Sequence, residues 1–176
     1  MRSFASVAAF LDHDVRQAFD PSVVNRNEAG RKAAEMNKHL AEAESLIQFG
    51  FPEDAQARYE SATMAAADSL LALCGGRLVN SCRGRAHEVK KHFLVAALTL
   101  EGRPAPSLEQ VLSITHIRHL VEYGASLVDD QLTPKATDEA RQAANSVRKS
   151  VLDILSEAGV TVPQLPVQKP GSSRNR

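Results

Sequence analysis

The sequence predicts an all-α protein, folded as an antiparallel up-and-down bundle of four to five helices. Aromatic residues make up only 5% of the chain and Trp is absent, so the core has to be built from small and aliphatic side chains. Such side chains suit close helix packing better than a sheet, which favours β-branched and aromatic residues. Apolar residues recur at alternating spacings of three and four positions, and no segment shows the alternation of a strand. Short connections between successive helices favour antiparallel neighbours.

Changes in composition divide the chain into three parts. Residues 1–26 are predicted to form an accessory helix, capped by Ser3 and ended by Pro21, followed by a linker. Residues 27–159 contain the helical bundle. Residues 160–176 are polar and rich in Pro, Gly and Ser, so we expect a disordered tail that cannot bury enough apolar surface to order itself.

The first two helices of the bundle are joined by a glycine turn. Helix one is predicted over residues 28–48, where Gly50 is well placed to end it, and Pro52 fits the first turn of helix two. Helix two stops at Gly75. The apolar stripe of helix one consists of Ala33, Met36, Leu40, Ala43 and Ile47. The stripe of helix two consists of Ala55, Tyr59, Ala62, Ala66, Leu70 and Leu73.

Three further helices complete the predicted bundle. Helix three covers about residues 85–100, and a loop rich in Gly and Pro closes it. Ser107 and Gln110 form a capping-box pattern, in which hydroxyl and amide satisfy free backbone donors at the start of helix four. Helix four runs to about residue 130, and helix five begins at Pro134 and ends at Gly159. The stripe of helix five consists of Ala140, Ala143, Val147, Val151 and Ile154.

Charge and cysteine usage limit the classes of function. Lys plus Arg equals Asp plus Glu at 21 each, so attraction to nucleic acid requires a local patch. Cys74 and Cys82 lack metal-type or redox-type spacing, and no secretion signal is recognised, which favours a reducing, cytoplasmic location. The apolar run over residues 93–100 is too short to span a bilayer. Without Glu-x-x-His pairs or a phosphate-loop motif, we expect no metal and no cofactor.

A basic segment precedes and enters helix three, and its only acid is Glu88. Such donors, on a loop that leads into a helix N-terminus, are suited to phosphate oxygens. The segment therefore predicts a phosphate or RNA site, with a solvated loop as the alternative. The candidate residues are Arg77, Arg83, Arg85, Lys90 and Lys91.

A second candidate site lies on helix four. His116, His119 and Tyr123 share one helix face, and Arg118 is adjacent. Such a cluster can hold a phosphate or supply general acid and base groups, because His titrates near neutral pH. The alternative is structural, with Arg118 paired to Glu122 and the histidines filling polar gaps at the edge of the bundle.

Three pieces of the chain, in order, resemble HEPN (higher eukaryotes and prokaryotes nucleotide-binding) domains. The first is the helical hairpin of residues 33–66, with its glycine turn and Tyr59, and the second is the stretch 87–94. In the third, Arg118-x-x-x-Glu122-Tyr123-Gly124 is similar to the Arg-x-x-x-Asp-Tyr-Gly element of one HEPN branch, with Glu122 in place of Asp. The resemblance covers about residues 28–158.

The resemblance implies a homodimer that engages RNA, a nucleotide or a nucleotidyltransferase-type or antitoxin partner, in a defence or toxin–antitoxin setting. Many HEPN proteins are metal-independent ribonucleases that use an Arg followed, after a short spacer, by a His on the fourth helix. Here no His follows Arg118 at that spacing, and the literal match, Arg85 with His92, falls on helix three. The hypotheses are thus a binding protein, a divergent ribonuclease that uses Arg118, His119 and Tyr123, and a purely structural bundle.

Overall fold

The computed structural model describes residues 24–75, 86–114 and 134–166. Its helices are α1 (Arg26–Gln48), α2 (Pro52–Leu73), α3 (Ala86–Leu100), α4, of which residues 108–114 are described, and α5 (Pro134–Glu157). All regular structure in these ranges is helical, which confirms the all-α bundle of four to five helices. The up-and-down order of the whole bundle stays a prediction, and the accessory helix expected near the N-terminus lies outside the described residues.

The helix starts follow from local sequence. The Asn25 side chain accepts a hydrogen bond from the Glu28 amide at 2.9 Å, so α1 begins two residues before the predicted start. At α4 the predicted capping box is confirmed. The Ser107 amide donates to Gln110 Oε1 at 2.8 Å, and the Gln110 amide donates to Ser107 Oγ at 3.2 Å.

The ends of α1, α3 and α5 share one motif. After α1, Gly50 has a φ of 81°, its amide donates to the Ile47 carbonyl, and the Phe51 amide donates to the Leu46 carbonyl. This is the Schellman arrangement, in which a left-handed residue lets the chain turn back on the last carbonyls. The same pairs of bonds follow α3 at Gly102 and α5 at Gly159. Glycine meets the positive φ at these points without the steric cost that a Cβ brings.

Helix α2 is the centre of the bundle. It packs against α1 over the largest interface, and also against α3 and α5. The predicted stripe of α2 is buried, but so are residues outside it, such as Thr63, Ser69 and Leu71. Ser69 Oγ donates to the Ala29 carbonyl of α1 at 2.8 Å. A helix enclosed on most sides needs small residues around its circumference, and the many alanines of α2 meet that need.

The core contains few aromatic side chains, as the composition predicts. Tyr59 on α2 and Phe93 on α3 are the fully buried aromatic residues in the described part of the chain. Around them lie the Ala, Leu and Val residues of the predicted stripes. The stripe of α5 is buried throughout, from Ala140 to Ile154.

Helix α5 is held to the other helices at both edges. Arg141 of α5 binds Glu44 of α1, and Arg148 Nε of α5 donates to Asn37 Oδ1 of α1 at 2.7 Å. On the loop after α3, the Pro104 carbonyl accepts a hydrogen bond from Ser150 Oγ at 2.6 Å.

The chain continues to pack after α5 ends. Val160 is only 9% exposed and belongs to the core, and Val162 packs against it. The Thr161 carbonyl lies so close to Gly30 of α1 that a Cβ at residue 30 would overlap it. The first residues of the predicted tail are therefore anchored over the start of α1, while residues 167–176 lie outside the described residues.

Candidate functional site

The structure describes two of the eight predicted site residues. Lys90 and Lys91 lie in the first half of α3. The predicted helix-four site, Arg118, His119 and Tyr123, lies outside the described residues, as do Arg77, Arg83 and Arg85 of the basic segment.

The two neighbouring lysines have different environments. Lys90 Nζ lies 2.6 Å from Asp68 Oδ1, and both side chains are partly exposed, at 20% and 28%. Lys91 Nζ lies 3.4 Å from Glu60 Oε1, and both of those side chains are fully buried, at 0%. The sequence predicted that both lysines would face a phosphate. The structure places Lys91 in the interior instead, because adjacent residues on a helix point about 100° apart.

Together the two ion pairs fix the start of α3 against α2. Their acidic partners, Glu60 and Asp68, are separated along α2 by two turns, about 12 Å. Two attachment points at that separation restrict both sliding and rotation of α3. The basic segment therefore leads into a helix whose first half is held in place.

Lys91 and Glu60 belong to a buried polar cluster, which we define as Gln56, Glu60, Lys91 and Thr137. Gln56 and Glu60 lie one turn apart on α2, and both are fully buried. Gln56 Nε2 donates to Thr137 Oγ1 of α5 at 2.7 Å, so the cluster joins α2, α3 and α5. Within the described ranges, Gln56 Oε1 accepts no hydrogen bond. The cluster holds a carboxylate, an ammonium, an amide and a hydroxyl away from water, where electrostatic interactions are strong.

The sequence analysis did not select Gln56, Glu60 or Thr137. Their signal is weak but present, because Gln56 and Glu60 are polar residues one turn apart in an alanine-rich helix. If such a helix is buried all round, polar residues on it must meet polar partners in the interior.

A second network joins α1, α2 and α5 at the carboxylate of Glu44. Tyr59 Oη donates to Glu44 Oε1 at 3.1 Å, and Arg141 Nε donates to the same oxygen at 2.8 Å. Burial, and then the negative charge of Glu44, raises the pKa of Tyr59 above its ordinary value. The phenol therefore stays protonated and serves as a hydrogen-bond donor that orients the carboxylate.

The exposed face of α1 carries a series of ion pairs between residues three or four positions apart. Glu35 pairs with Arg31 and Lys32, and His39 Nδ1 lies 3.3 Å from Glu42 Oε2. Across residues 24–75, 86–114 and 134–166, no group of three or more His, Cys, Asp or Glu side chains could hold a metal ion. None of the helices in these ranges has the length and apolarity needed to cross a membrane.

Comparison with protein-family models, with curated proteins and with solved structures finds no match to this chain.

Proposed function

We propose that this chain is a HEPN-like binding protein that engages a phosphate-bearing ligand, RNA or a nucleotide, at the basic segment before α3. The observation that carries the proposal is the double attachment of α3 to α2 through Lys90 and Lys91. A helix start that is already held in place adds no ordering cost of its own when a ligand binds beside it. The helix start also contributes backbone amides and a favourable dipole for an anion.

This proposal gives different roles to the lysines and arginines of the basic segment. Lys90 and Lys91 are positioning residues, because their charges are already paired with Asp68 and Glu60. The ligand contacts are assigned to Arg77, Arg83 and Arg85. The guanidinium group is planar and offers paired donors that match phosphate oxygens.

The assembly proposed with this function is a homodimer, with a nucleotidyltransferase or an antitoxin as a further partner in a defence or toxin–antitoxin system. This part rests on the resemblance to HEPN domains. Sedimentation at micromolar concentration is expected to give about twice 19.1 kDa. A strictly monomeric species contradicts the dimer and leaves the phosphate site to be tested by itself.

Binding can be measured by fluorescence anisotropy with a labelled single-stranded RNA, and with a labelled adenine nucleotide as a second probe. In the variant Arg83→Gln with Arg85→Gln, the Kd is expected to rise at least tenfold. The slope of log Kd against log salt concentration should fall by roughly one to two, because fewer counterions are released on binding when two phosphate contacts are lost. The matched control is Lys135→Gln with Lys149→Gln, which removes two exposed charges from α5 and should leave the Kd within about twofold.

Each hypothesis gives a different result in this experiment. Equal loss in the control pair contradicts the assignment of the basic segment. RNA cleavage by the wild type that is abolished in His119→Ala favours the divergent ribonuclease with Arg118, His119 and Tyr123. If neither probe binds at any salt concentration, the remaining hypothesis is the purely structural bundle.

A further inference from the structure

The turn between α1 and α2 exposes two aromatic rings. Phe49 is 61% exposed and Phe51 is 53% exposed, and the remaining exposed large apolar residue of the described chain is Val24. Every residue from 48 to 54 is exposed. We call this segment the aromatic turn.

Folding alone does not account for this composition. Phe51 occupies the N-cap position of α2, where its side chain makes no capping hydrogen bond. Ser, Thr, Asp or Asn at such a position typically stabilises a helix by about 1 kcal/mol. At the equivalent position after α5, the residue that follows the turning glycine is Val160, which is 9% exposed. The same backbone motif therefore buries its apolar residue in one place and leaves it more than half exposed in the other.

The aromatic turn is also rigid. Gly50 makes the reversal with a φ of 81°, its amide donates to the Ile47 carbonyl at 3.1 Å, and the Phe51 amide donates to the Leu46 carbonyl at 2.9 Å. Helices of 23 and 22 residues flank it on either side. Rings presented on a rigid support lose little entropy on binding, which is the property of residues that dominate interfaces.

The charge next to the rings is negative. Glu53 and Asp54 lie in the exposed first turn of α2, and neither takes part in an ion pair within the described residues. No Lys or Arg occurs between residues 48 and 54. This arrangement is complementary to a cationic ligand with an apolar side chain.

The available area favours a short segment over a second copy of this chain. A stable interface buries about 800 Å² on each partner, whereas two half-exposed phenyl rings supply only about 200–250 Å². A two-fold contact through the aromatic turn would also place Glu53 and Asp54 beside their own copies, and like charges oppose such a contact.

We propose that the aromatic turn docks a short cationic segment of a partner protein, with an apolar side chain of that segment against Phe49 and Phe51. Glu53 and Asp54 bind its positive charges. This site is independent of the phosphate site proposed above.

The probes are three fluorescein-labelled nine-residue peptides, one of alternating Lys and Leu, one with Ser in place of Leu, and one with Glu in place of Lys. The Lys and Leu peptide is expected to bind, and to shift the amide resonances of residues 48–54 in a ¹⁵N spectrum. Phe49→Ser should raise its Kd at least tenfold. Glu53→Gln with Asp54→Asn should raise its Kd by about fivefold and remove most of its salt dependence. Val24→Ser, at another exposed apolar position, is the matched control and should leave the Kd unchanged.

Circular dichroism melting of each variant checks that the fold is retained. Equal binding of all three peptides, shifts outside residues 48–54, or no binding at millimolar peptide concentration overturns the proposal. Concentration-dependent self-association that Phe49→Ser abolishes also overturns it, in favour of a second copy.

Discussion

Lys91 and Glu60 place opposite charges inside a core that is built mainly from small and aliphatic side chains. Removing two charges from water is costly, and their attraction in the interior offsets that cost only when both remain. The pair is therefore a point of high sensitivity. Lys90, the residue before Lys91 on α3, forms a partly exposed ion pair with Asp68 of α2. Water can replace either partner of that pair.

This contrast gives a prediction with an internal control. Lys91→Met should lower the free energy of unfolding by about 3–5 kcal/mol, because the carboxylate of Glu60 loses a buried partner. Lys90→Met should lower it by no more than about 1 kcal/mol, since Asp68 is hydrated. Urea denaturation of the two variants measures the difference.

The double variant Lys91→Met with Glu60→Met completes the cycle. Because it removes both charges and keeps most of the volume, it should recover much of the lost stability. Equal losses in the Lys90 and Lys91 variants would show that the buried pair does not hold α3 to α2.

The sequence could not separate these two lysines. A run of basic residues shows a local excess of charge, but which side chain points inward depends on the position of α2 relative to α3. Gln56 and Thr137 were missed for the same reason, since the two residues bind each other across 81 positions of the chain. All the stripe residues except Ile47, which is only partly buried, were correctly predicted to be buried, because their burial follows from helical periodicity alone.

Individual helices were predictable where their ends depend on local chemistry. Gly50, Gly159 and the Ser107–Gln110 capping box act through neighbours within a few residues, and the structure confirms each of them. The burial of α2 on most sides was not predicted, since it depends on which helices surround it. The close approach of Thr161 to Gly30 was not predicted either, because it joins the two ends of the bundle.

Gly30 gives a prediction at the contact between α1 and the residues after α5. Ala is usually about 1 kcal/mol better than Gly inside a helix. Here a Cβ would overlap the Thr161 carbonyl, a backbone atom that cannot rotate away. Gly30→Ala should therefore lower the free energy of unfolding by about 1–3 kcal/mol, measured by thermal or urea denaturation.

A chain shortened to end at Val160 tests the cause. With Thr161 removed, the close neighbour that remains is Val160 Cγ1 at 3.3 Å from the added Cβ, a side-chain atom that can shift, so most of the loss should disappear. If Gly30→Ala destabilises the shortened chain as much as the full chain, the contact with Thr161 is not responsible.

The molecule as a whole matches the class that its composition predicts, an all-α bundle with a core of small residues. This class was predictable because it rests on composition and periodicity, which need no knowledge of contacts. The order of the helices in space is a different matter, because it depends on loops such as residues 76–85, which lie outside the described residues.

The stability of the bundle should fall in alkaline solution. Burial raises the pKa of the Cys74 thiol and of the Tyr59 phenol in the folded protein. A raised folded pKa favours the protonated form, so this stability is present below the unfolded pKa and is lost as pH rises. The unfolded values are about 8.5 for Cys and about 10 for Tyr, so the fall should begin near pH 8.5 and steepen near pH 10.

Urea denaturation between pH 7 and 10.5 measures this dependence. Cys74→Ala should remove the early part of the fall, with up to about 1.4 kcal/mol per pH unit attributable to one group. Tyr59→Phe should leave the early part in place and reduce the later part. A free energy of unfolding that is constant up to pH 10.5 contradicts the prediction.

The anchoring of residues 160–162 over the start of α1 has a consequence for synthesis on the ribosome. Gly30 is translated before Thr161, which follows α5 in the chain. Packing at that end of α1 is therefore completed last, and it is a contact of long sequence separation, which forms more slowly than local ones. Until then, the Gly30 side of α1 lacks the cover that residues 160 and 161 provide in the folded protein.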